Sequence, residues 1–575
     1  MKKINYISIL FTAIIMLFVN ACNDEFLDVP ANGGLDANVL ATADGVDGLL
    51  IGAYAMLDGT SSSFGWAAAA SNWVYAAIRG GVANKGTDSG DQPDINPIMN
   101  YTETASNPYL NIRWQSLYES IARTNQVVSV AAVALESGSI TQEQHDLYVN
   151  QARTLRGHYH IEAYKLWVNV PYLDENTDPA TVTNTEDIKT RIIDDLTAGL
   201  SLPTDMGQPG RFNKTVAQVL LAKAHMQLNA DYASAFTLLT SAMSGTAPDG
   251  TAIGLEAKYG DIFDIESRNG VEAVYTVQYS VNDGSGGTNA GAGEVLNFPY
   301  KAGGSPGGCC GFFQPTQEYV NSFRTGADGL PLLDGSYNDD PVINDQGLPA
   351  DDASYVEDTG NLDPRLDWSV GRRGIPYLDW GDHTGQDWIR DQSYAGPYSP
   401  KKQVYKKSQE NASFTEVGNW TSGYTANGIR MIRYADILLL AAECQARTSS
   451  GDLGLAYVNQ VRNRAANPAG FVKEADGTTD AANYVISPYA SFSGQANALE
   501  AILMERKLEL GMEGHRWFDL KRWGTSTTAI NAYLTYSKTL GLTYITGSTS
   551  YDASNDTYPI PQRQIDISNG TLTQN

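Results

Sequence analysis

Residues 498–524, ALEAILMERKLELGMEGHRWFDLKRWG, constrain the fold more than any other stretch of the chain. Leu499, Ile502, Leu503 and Leu510 recur at helical spacing, and Ala501, Met504, Leu508 and Met512 form a second stripe. A helix with two apolar stripes is covered around much of its circumference and belongs inside the molecule. Glu505, Arg506 and Glu509 lie among those apolar positions. Ions in such a place need partners, because an unpaired buried charge is very unfavourable. Glu505 and Arg506 are therefore expected to pair with charges on the Arg433, Tyr434, Ala435, Asp436 segment or with neighbouring turns. Gly514 stops the helix, and His515, Arg516, Trp517, Phe518, Asp519, Lys521, Arg522 and Trp523 crowd its exit. That density has the look of a catalytic cluster, but Trp517 and Trp523 equally suit the closing of a core.

The first residues set the compartment. Lys2 and Lys3 precede an apolar run at 7–19, too short to span a bilayer comfortably, and Val19-Asn20-Ala21-Cys22 follows. This order predicts a lipoprotein signal peptide over 1–21, with Cys22 acylated and residues 22–40 serving as lipid anchor and tether. The net charge of −26 disfavours nucleic acid and bare anionic lipid as partners. Cys309, Cys310 and Cys444 form no disulfide framework. Adjacent cysteines do not readily bridge, so all three are expected as small buried side chains.

Helical periodicity returns repeatedly. It predicts helices over 46–57, over 141–167 with Thr141 and Gln144 at the start, and over 186–200, 214–228 and 232–243. Trp114, Leu117, Tyr118, Ile121, Asn125 and Val128 mark another helix beginning near Tyr109. A single helix is expected from Ile429 to Gln445, with a partner over 453–465. Residues 272–280 read as a short strand. The helix pairs are of tetratricopeptide size, so the fold class is mostly α: an α-solenoid wall with a large irregular, loop-rich face and a few short strands. One domain is expected over 41–575, with helical repeats at about 109–245 and 429–524 and the loop-rich ligand face at about 61–100 and 262–428.

IRMIRYADILLLAAECQAR, LAYVNQVRNRA, MERKLELGMEGHRWFDLKRWG, YPIPQRQI and LTQN together resemble the SusD/RagB family of Bacteroidetes outer-membrane lipoproteins. GGCCGFFQPTQEYVNSF and DPRLDWSVGRRGIPYLDWG resemble one branch of it, and Asn23-Asp24-Glu25 after Cys22 resembles the surface-export signal of such lipoproteins. The resemblance covers nearly the whole mature chain. It implies a helical fold on four tetratricopeptide-like pairs and a location on the exterior of the outer membrane. It also implies capture of a nutrient, usually an oligosaccharide, for a SusC-like TonB-dependent transporter. Peptide ligands on the same fold and a glycoside hydrolase are the alternatives.

Catalytic signatures are weak. Gly303-Gly304-Ser305-Pro306-Gly307 matches GxSxG, but Pro306 and the glycines do not suit a strand–turn–helix elbow. His158 and His160 point to different sides of their helix. Asp379 and Asp382 could serve a glycosidase, although an acidic loop is the plainer reading. Asp88, Ser89, Asp91, Asp94 and Asn96 could hold a structural calcium, yet their spacing is not that of an EF-hand. No other cofactor is expected. Sugar recognition suits the composition better, since rigid aromatic faces and amide, carboxylate or guanidinium groups complement a sugar ring. The ligand-contact candidates are Trp66, Trp73, Arg79, Asn84, Trp380, Trp388 and Trp420, with Tyr75, Tyr377, Tyr394, Tyr398, Asp379, Arg390 and Asp391 beside them.

Overall fold

The structure is a computed structural model describing residues 37–59, 65–300, 304–418, 421–547 and 549–575. The expected leader, Cys22 and Trp420 lie outside these residues. Of the expected tether, Ala37–Leu40 form a short helix.

Local signals start most of the helices. Helix α1 (Ala43–Tyr54) begins where the Thr42 hydroxyl accepts the Gly45 N–H. Helix α2 (Pro108–Glu136) opens on proline, whose missing N–H would be unpaired there in any case. Helix α3 (Gln142–Trp167) opens on a reciprocal box. The Gln144 N–H donates to the Thr141 hydroxyl at 3.2 Å, and the Thr141 N–H donates to the Gln144 side chain at 2.9 Å. Helices α4 (Lys189–Ala198), α5 (Lys214–Ala224) and α6 (Tyr232–Ala242) follow, each from α2 onward packing on the next. Helix α6 packs on α7 (Tyr434–Arg447), which holds α8 (Leu455–Ala465) and α9 (Gln495–Leu510). This stack is the expected solenoid wall. Helices α10 (Arg516–Trp523) and α11 (Ser526–Lys538) follow and pack on each other. The sequence reading does not include α11, whose run of Ser, Thr and Asn is a poor helix signal.

Three expectations are corrected. Residues Ile429–Arg433, read as the start of a helix, form a strand. Strands β1 (Ala83–Gly86), β2 (Ala273–Val277), β3 (Phe312–Pro315) and β4 (Ile429–Arg433) pair as β1 with β3 and β2 with β4, both antiparallel. The register runs from Ala273 opposite Arg433 to Val277 opposite Ile429, and the chain turns helical only at Tyr434. The 61–100 stretch is not mainly surface, because Trp73–Ile78 is a helical turn buried at every position. Finally, Cys309 and Cys310 are bonded to each other, whereas Cys444 is a buried thiol beside the Met226 sulfur.

Helix α9 lies in the core and carries the central ion network. Glu505 accepts from Arg365 at 2.5 Å and Arg462 at 2.9 Å. Glu509 accepts from Arg365, Arg433 and Arg464 at 3.1, 3.0 and 2.5 Å. Asp363 completes Arg365, Glu272 bridges Arg433 and Arg464, and Glu513 bridges Arg433 and Lys402. The network thus joins five carboxylates to five cations and is neutral. Arg506 turns the other way, to Asp436 at 2.7 Å and Asp519 at 2.9 Å, so the expected link to the 433–436 segment is present. Trp517 and Trp523 are buried with it. The 498–524 stretch is architecture.

Candidate functional site

Few of the sequence-selected side chains reach solvent. Trp73 is fully buried; its indole N–H donates to the Gly293 carbonyl at 3.1 Å and its ring tilts against Phe313. Arg79 is fully buried among Tyr101, Trp517, Tyr551 and Tyr558 and pairs with Glu103 at 2.7 Å. Trp388 packs edge-on against Tyr377 inside a small aromatic cluster, and Tyr75, Tyr394 and Tyr398 are buried as well. As ligand platforms these are corrected: a ring closed in on its faces cannot stack on a sugar. Asn84 is also buried, its amide donating to the Ala395 carbonyl at 2.9 Å, although it borders a cavity. Trp66 and Trp380 are half-buried and keep solvent contact. Trp380 donates to the Tyr405 carbonyl at 2.9 Å, with Lys407 above its ring.

The catalytic candidates become structural. Ser305 is buried, donates to the Pro299 carbonyl at 3.3 Å, and has neither a strand before it nor a helix after it among the described residues. His160 lies between the Arg156 carbonyl and the Leu173 N–H, and burial pushes its pKa down to about 4. The Asp379 carboxylate caps a turn by accepting the N–H groups of Lys407 and Ser408. Asp88 and Asp91 hold Arg390 at 2.8 and 2.6 Å instead of converging on a metal. Among the described residues, no group of three or more His, Cys, Asp or Glu side chains has the geometry to hold one.

What does converge at the surface is a polar and aromatic strip that the sequence reading only half contained. Trp66 sits on a short turn, Gly65–Ala68, and its indole N–H donates to Gln92 at 3.3 Å. The Tyr109 hydroxyl holds the same Gln92 oxygen at 2.7 Å. Asp88 folds the intervening loop by accepting the N–H groups of Gly90 and Asp91, both at 2.8 Å. Arg390, bound to both aspartates and to the Thr87 hydroxyl, lies over the ring of Tyr300 at 5.3 Å. Tyr300 is 36% exposed, and both the Arg390 side chain and its two aspartates remain partly open. Trp66 thus meets Gln92, which follows Asp91 in the chain, and Asp88 and Asp91 hold Arg390 over Tyr300. Tyr300 is not among the sequence-selected aromatics, since the run around it is glycine-rich and irregular.

One buried acid clamps the loops behind this strip. Glu294 accepts from the Ser71 N–H at 3.2 Å and the Tyr279 hydroxyl at 2.9 Å, joining 65–72 to 279–298. It forms no ion pair with a described residue, and burial pushes its carboxyl up to about 7. An acid raised in the fold favours folding while protonated. That contribution is full below the unfolded value of about 4.3 and is lost as pH rises through 7. Glu294→Gln is therefore expected to be more stable than the parent at pH 8, by on the order of 2–3 kcal/mol, and to lose the decline between pH 5 and 7. Urea melts at several pH values measure it; parallel curves for the two proteins would refute it.

The comparisons with known proteins agree with this architecture. Residues 271–575 match the profile of the SusD family. SusD-like protein P38 of Formosa agariphila is 23% identical, over 91% of this chain and 92% of its own. Among solved structures, a laminarin-binding SusD-like protein superposes with a TM-score of 0.64 at 19% identity, over 93% of this chain and 99% of that one. Surface glycan-binding protein A from Bacteroides thetaiotaomicron in complex with laminarihexaose gives 0.63 at 22% identity and the same coverage. With a family match over more than half its length and a helical wall of the same fold, the chain belongs to the SusD family.

Proposed function

We propose that this protein is a cell-surface binding lipoprotein that captures an oligosaccharide and passes it to a SusC-like TonB-dependent transporter in the outer membrane. The observation that carries this reading is the strip of Trp66, Gln92, Arg390 and Tyr300: two accessible aromatic faces joined by groups that hydrogen-bond hydroxyls. The names of the laminarin-binding and laminarihexaose-bound neighbours support the ligand class. Acylated Cys22 supplies the anchor on this reading, and no helix among the described residues is long and apolar enough to cross a membrane. Binding requires no bond-breaking chemistry and no cofactor.

Laminarihexaose is the first ligand to test by isothermal titration calorimetry. Trp66→Ala and Tyr300→Ala are each expected to weaken binding about tenfold, or about 1.4 kcal/mol, without changing the melting temperature appreciably. Unchanged affinity in both variants would remove the strip from the binding site. Peptides co-purifying in place of glycan, or reducing sugar released by the pure protein, would overturn the function itself.

A further inference from the structure

A cavity of about 130 Å³ lies between the wall helices α3 and α5 and the start of α10. It shares no wall residue with the Trp66–Tyr300 strip. In a chain of net charge −26 its lining is rich in cations: Lys165, Lys223, Arg430, Arg506 and Arg522 border it. Glu513 does too, but the central network already neutralises it through Arg433 and Lys402. Four acids remain to answer the five cations, Glu162 and Asp519 in the wall and Asp436 and Glu443 behind it. Arg430 has no carboxylate partner among the described residues. Its guanidinium donates to Asn427, Gln403 and the Gly428 and Asp264 carbonyls. One positive charge is left over.

The unspent hydrogen-bonding groups are mainly donors. An ammonium carries three N–H groups. Lys165 spends one on Glu162 at 2.5 Å, and Lys223 lies 2.7 Å from Asp436. Both side chains keep solvent contact, at 18% and 26% exposure. The rings of His158 and His515 line the same cavity, and no nitrogen of either has a hydrogen-bond partner among the described residues. None of those nitrogens is sealed inside the protein, although His158 is only 8% exposed. Burial, with Lys223 nearby, pushes both rings down to about 4, so at neutral pH each is uncharged and offers one N–H beside one lone pair. The carboxylates are engaged: Glu162 accepts from Lys165 and the Asn72 amide, and Asp519 from Arg506 and Arg522. Such a wall lacks an acceptor-rich, negative guest. A single surplus charge selects a monoanion over phosphate. Ile161, Leu220 and Phe518 in the same wall suit a guest with carbon attached. At about 30 Å³ per water, the space holds a few waters or one small molecule.

The geometry points to a binding site for one small organic carboxylate, its oxygens held by Lys165 and Lys223 and by the N–H groups of His158 and His515. The source is either a free short-chain acid or the uronate end of an acidic glycan. The test uses the full chain in chloride buffer at pH 7, with propionate as probe, by titration calorimetry and crystal soaking. Density for a carboxylate within hydrogen-bond reach of Lys165 and Lys223 is expected. Lys223→Met is expected to weaken propionate binding about tenfold, while Asp436 keeps Arg506 as its partner. His158→Phe is a second variant should Lys223→Met melt early, since it removes an N–H and breaks no ion pair; it is expected to weaken binding as well. Trp66→Ala leaves propionate binding unchanged. Ordered water alone in the soaked cavity, equal affinity in the parent and both cavity variants, or inorganic phosphate bound more tightly than propionate overturns the site. D-Glucuronate distinguishes the sources: competition with propionate assigns a sugar acid, and no competition assigns a free short-chain acid. Propionate bound here with laminarihexaose bound nowhere would defeat the proposed oligosaccharide capture and leave this site standing.

Discussion

Glu509→Ala is expected to destabilise the fold by about 3–5 kcal/mol, the loss typical when one member of a buried ionic network is removed. Glu509 is fully buried and accepts from Arg365, Arg433 and Arg464. Without it, four carboxylates face five cations in a place that water does not reach. Arg433 ends strand β4 and Arg464 lies on α8, so the end of α9, strand β4 and α8 loosen together. Chemical denaturation measures the effect, with calorimetric titration of glycan at low temperature as control. Ligand affinity per folded molecule stays unchanged, because no network member touches the Trp66–Tyr300 strip. A variant that melts like the parent would show that the network is dispensable.

The same network fixes a response to acid. Burial alone would raise the Glu509 carboxyl, but Arg464, Arg433, Arg365 and Lys402 override it and hold the group far below the usual range. Glu513 and Asp363 are depressed too: burial opposes ionisation, and the neighbouring Arg433 with Lys402, or Arg365, outweighs it. Acids depressed in the fold contribute stability above their unfolded values, about 3.9 for Asp and 4.3 for Glu, and lose it as pH falls through the folded values. Glu294 acts in the opposite sense and in a higher window. Both effects leave the fold best poised in mildly acidic to neutral solution.

How much of this was legible depends on how far away each residue's partner lies. The solenoid helices announce themselves locally. Thr141 and Gln144 cap each other, and Trp114 stacks on Tyr118 one turn away at 4.7 Å. The buried charges of 498–524 demand partners, yet the sequence could not name Arg365, 140 residues distant from Glu505. Residues 429–433 look helical beside the apolar run that follows, and only pairing with β2 makes them a strand. Trp73 reads as a loop aromatic because its acceptor, Gly293, lies 220 residues on. The site suffered most for this reason. Aromatic composition selected Trp66 and Trp73 alike, but whether a ring faces solvent depends on contacts that composition does not encode. The Trp66–Tyr300 strip is assembled by Gln92 and Arg390, two polar side chains from opposite ends of the loop-rich half.

Arg79 is the sharpest case, and its substitution separates structure from ligand contact. Read from the sequence, an arginine between aromatic-rich segments is a plausible hydroxyl binder. In the fold its guanidinium lies 4.2 Å from the Tyr558 ring centroid, 5.0 Å from Trp517, 5.4 Å from Tyr101 and 6.0 Å from Tyr551. It also donates to the Asn555 carbonyl at 2.6 Å and pairs with Glu103, whose side chain is 3% exposed. Desolvated cation–π contacts contribute up to about 2 kcal/mol each, though not additively. Truncation also leaves the Glu103 carboxylate buried and unpaired, which alone costs about 3–5 kcal/mol. Arg79→Met is therefore expected to unfold at markedly lower denaturant concentration. Arg79→Met combined with Glu103→Gln should recover part of that loss, because the stranded charge goes with it. Arg79→Lys should fall between, since an ammonium keeps the charge but not the planar group that spans four rings. Titration calorimetry on the folded fraction should find glycan affinity unchanged in all three. Normal melting with abolished binding would return Arg79 to the ligand site and require the core around Tyr558 to open when sugar arrives.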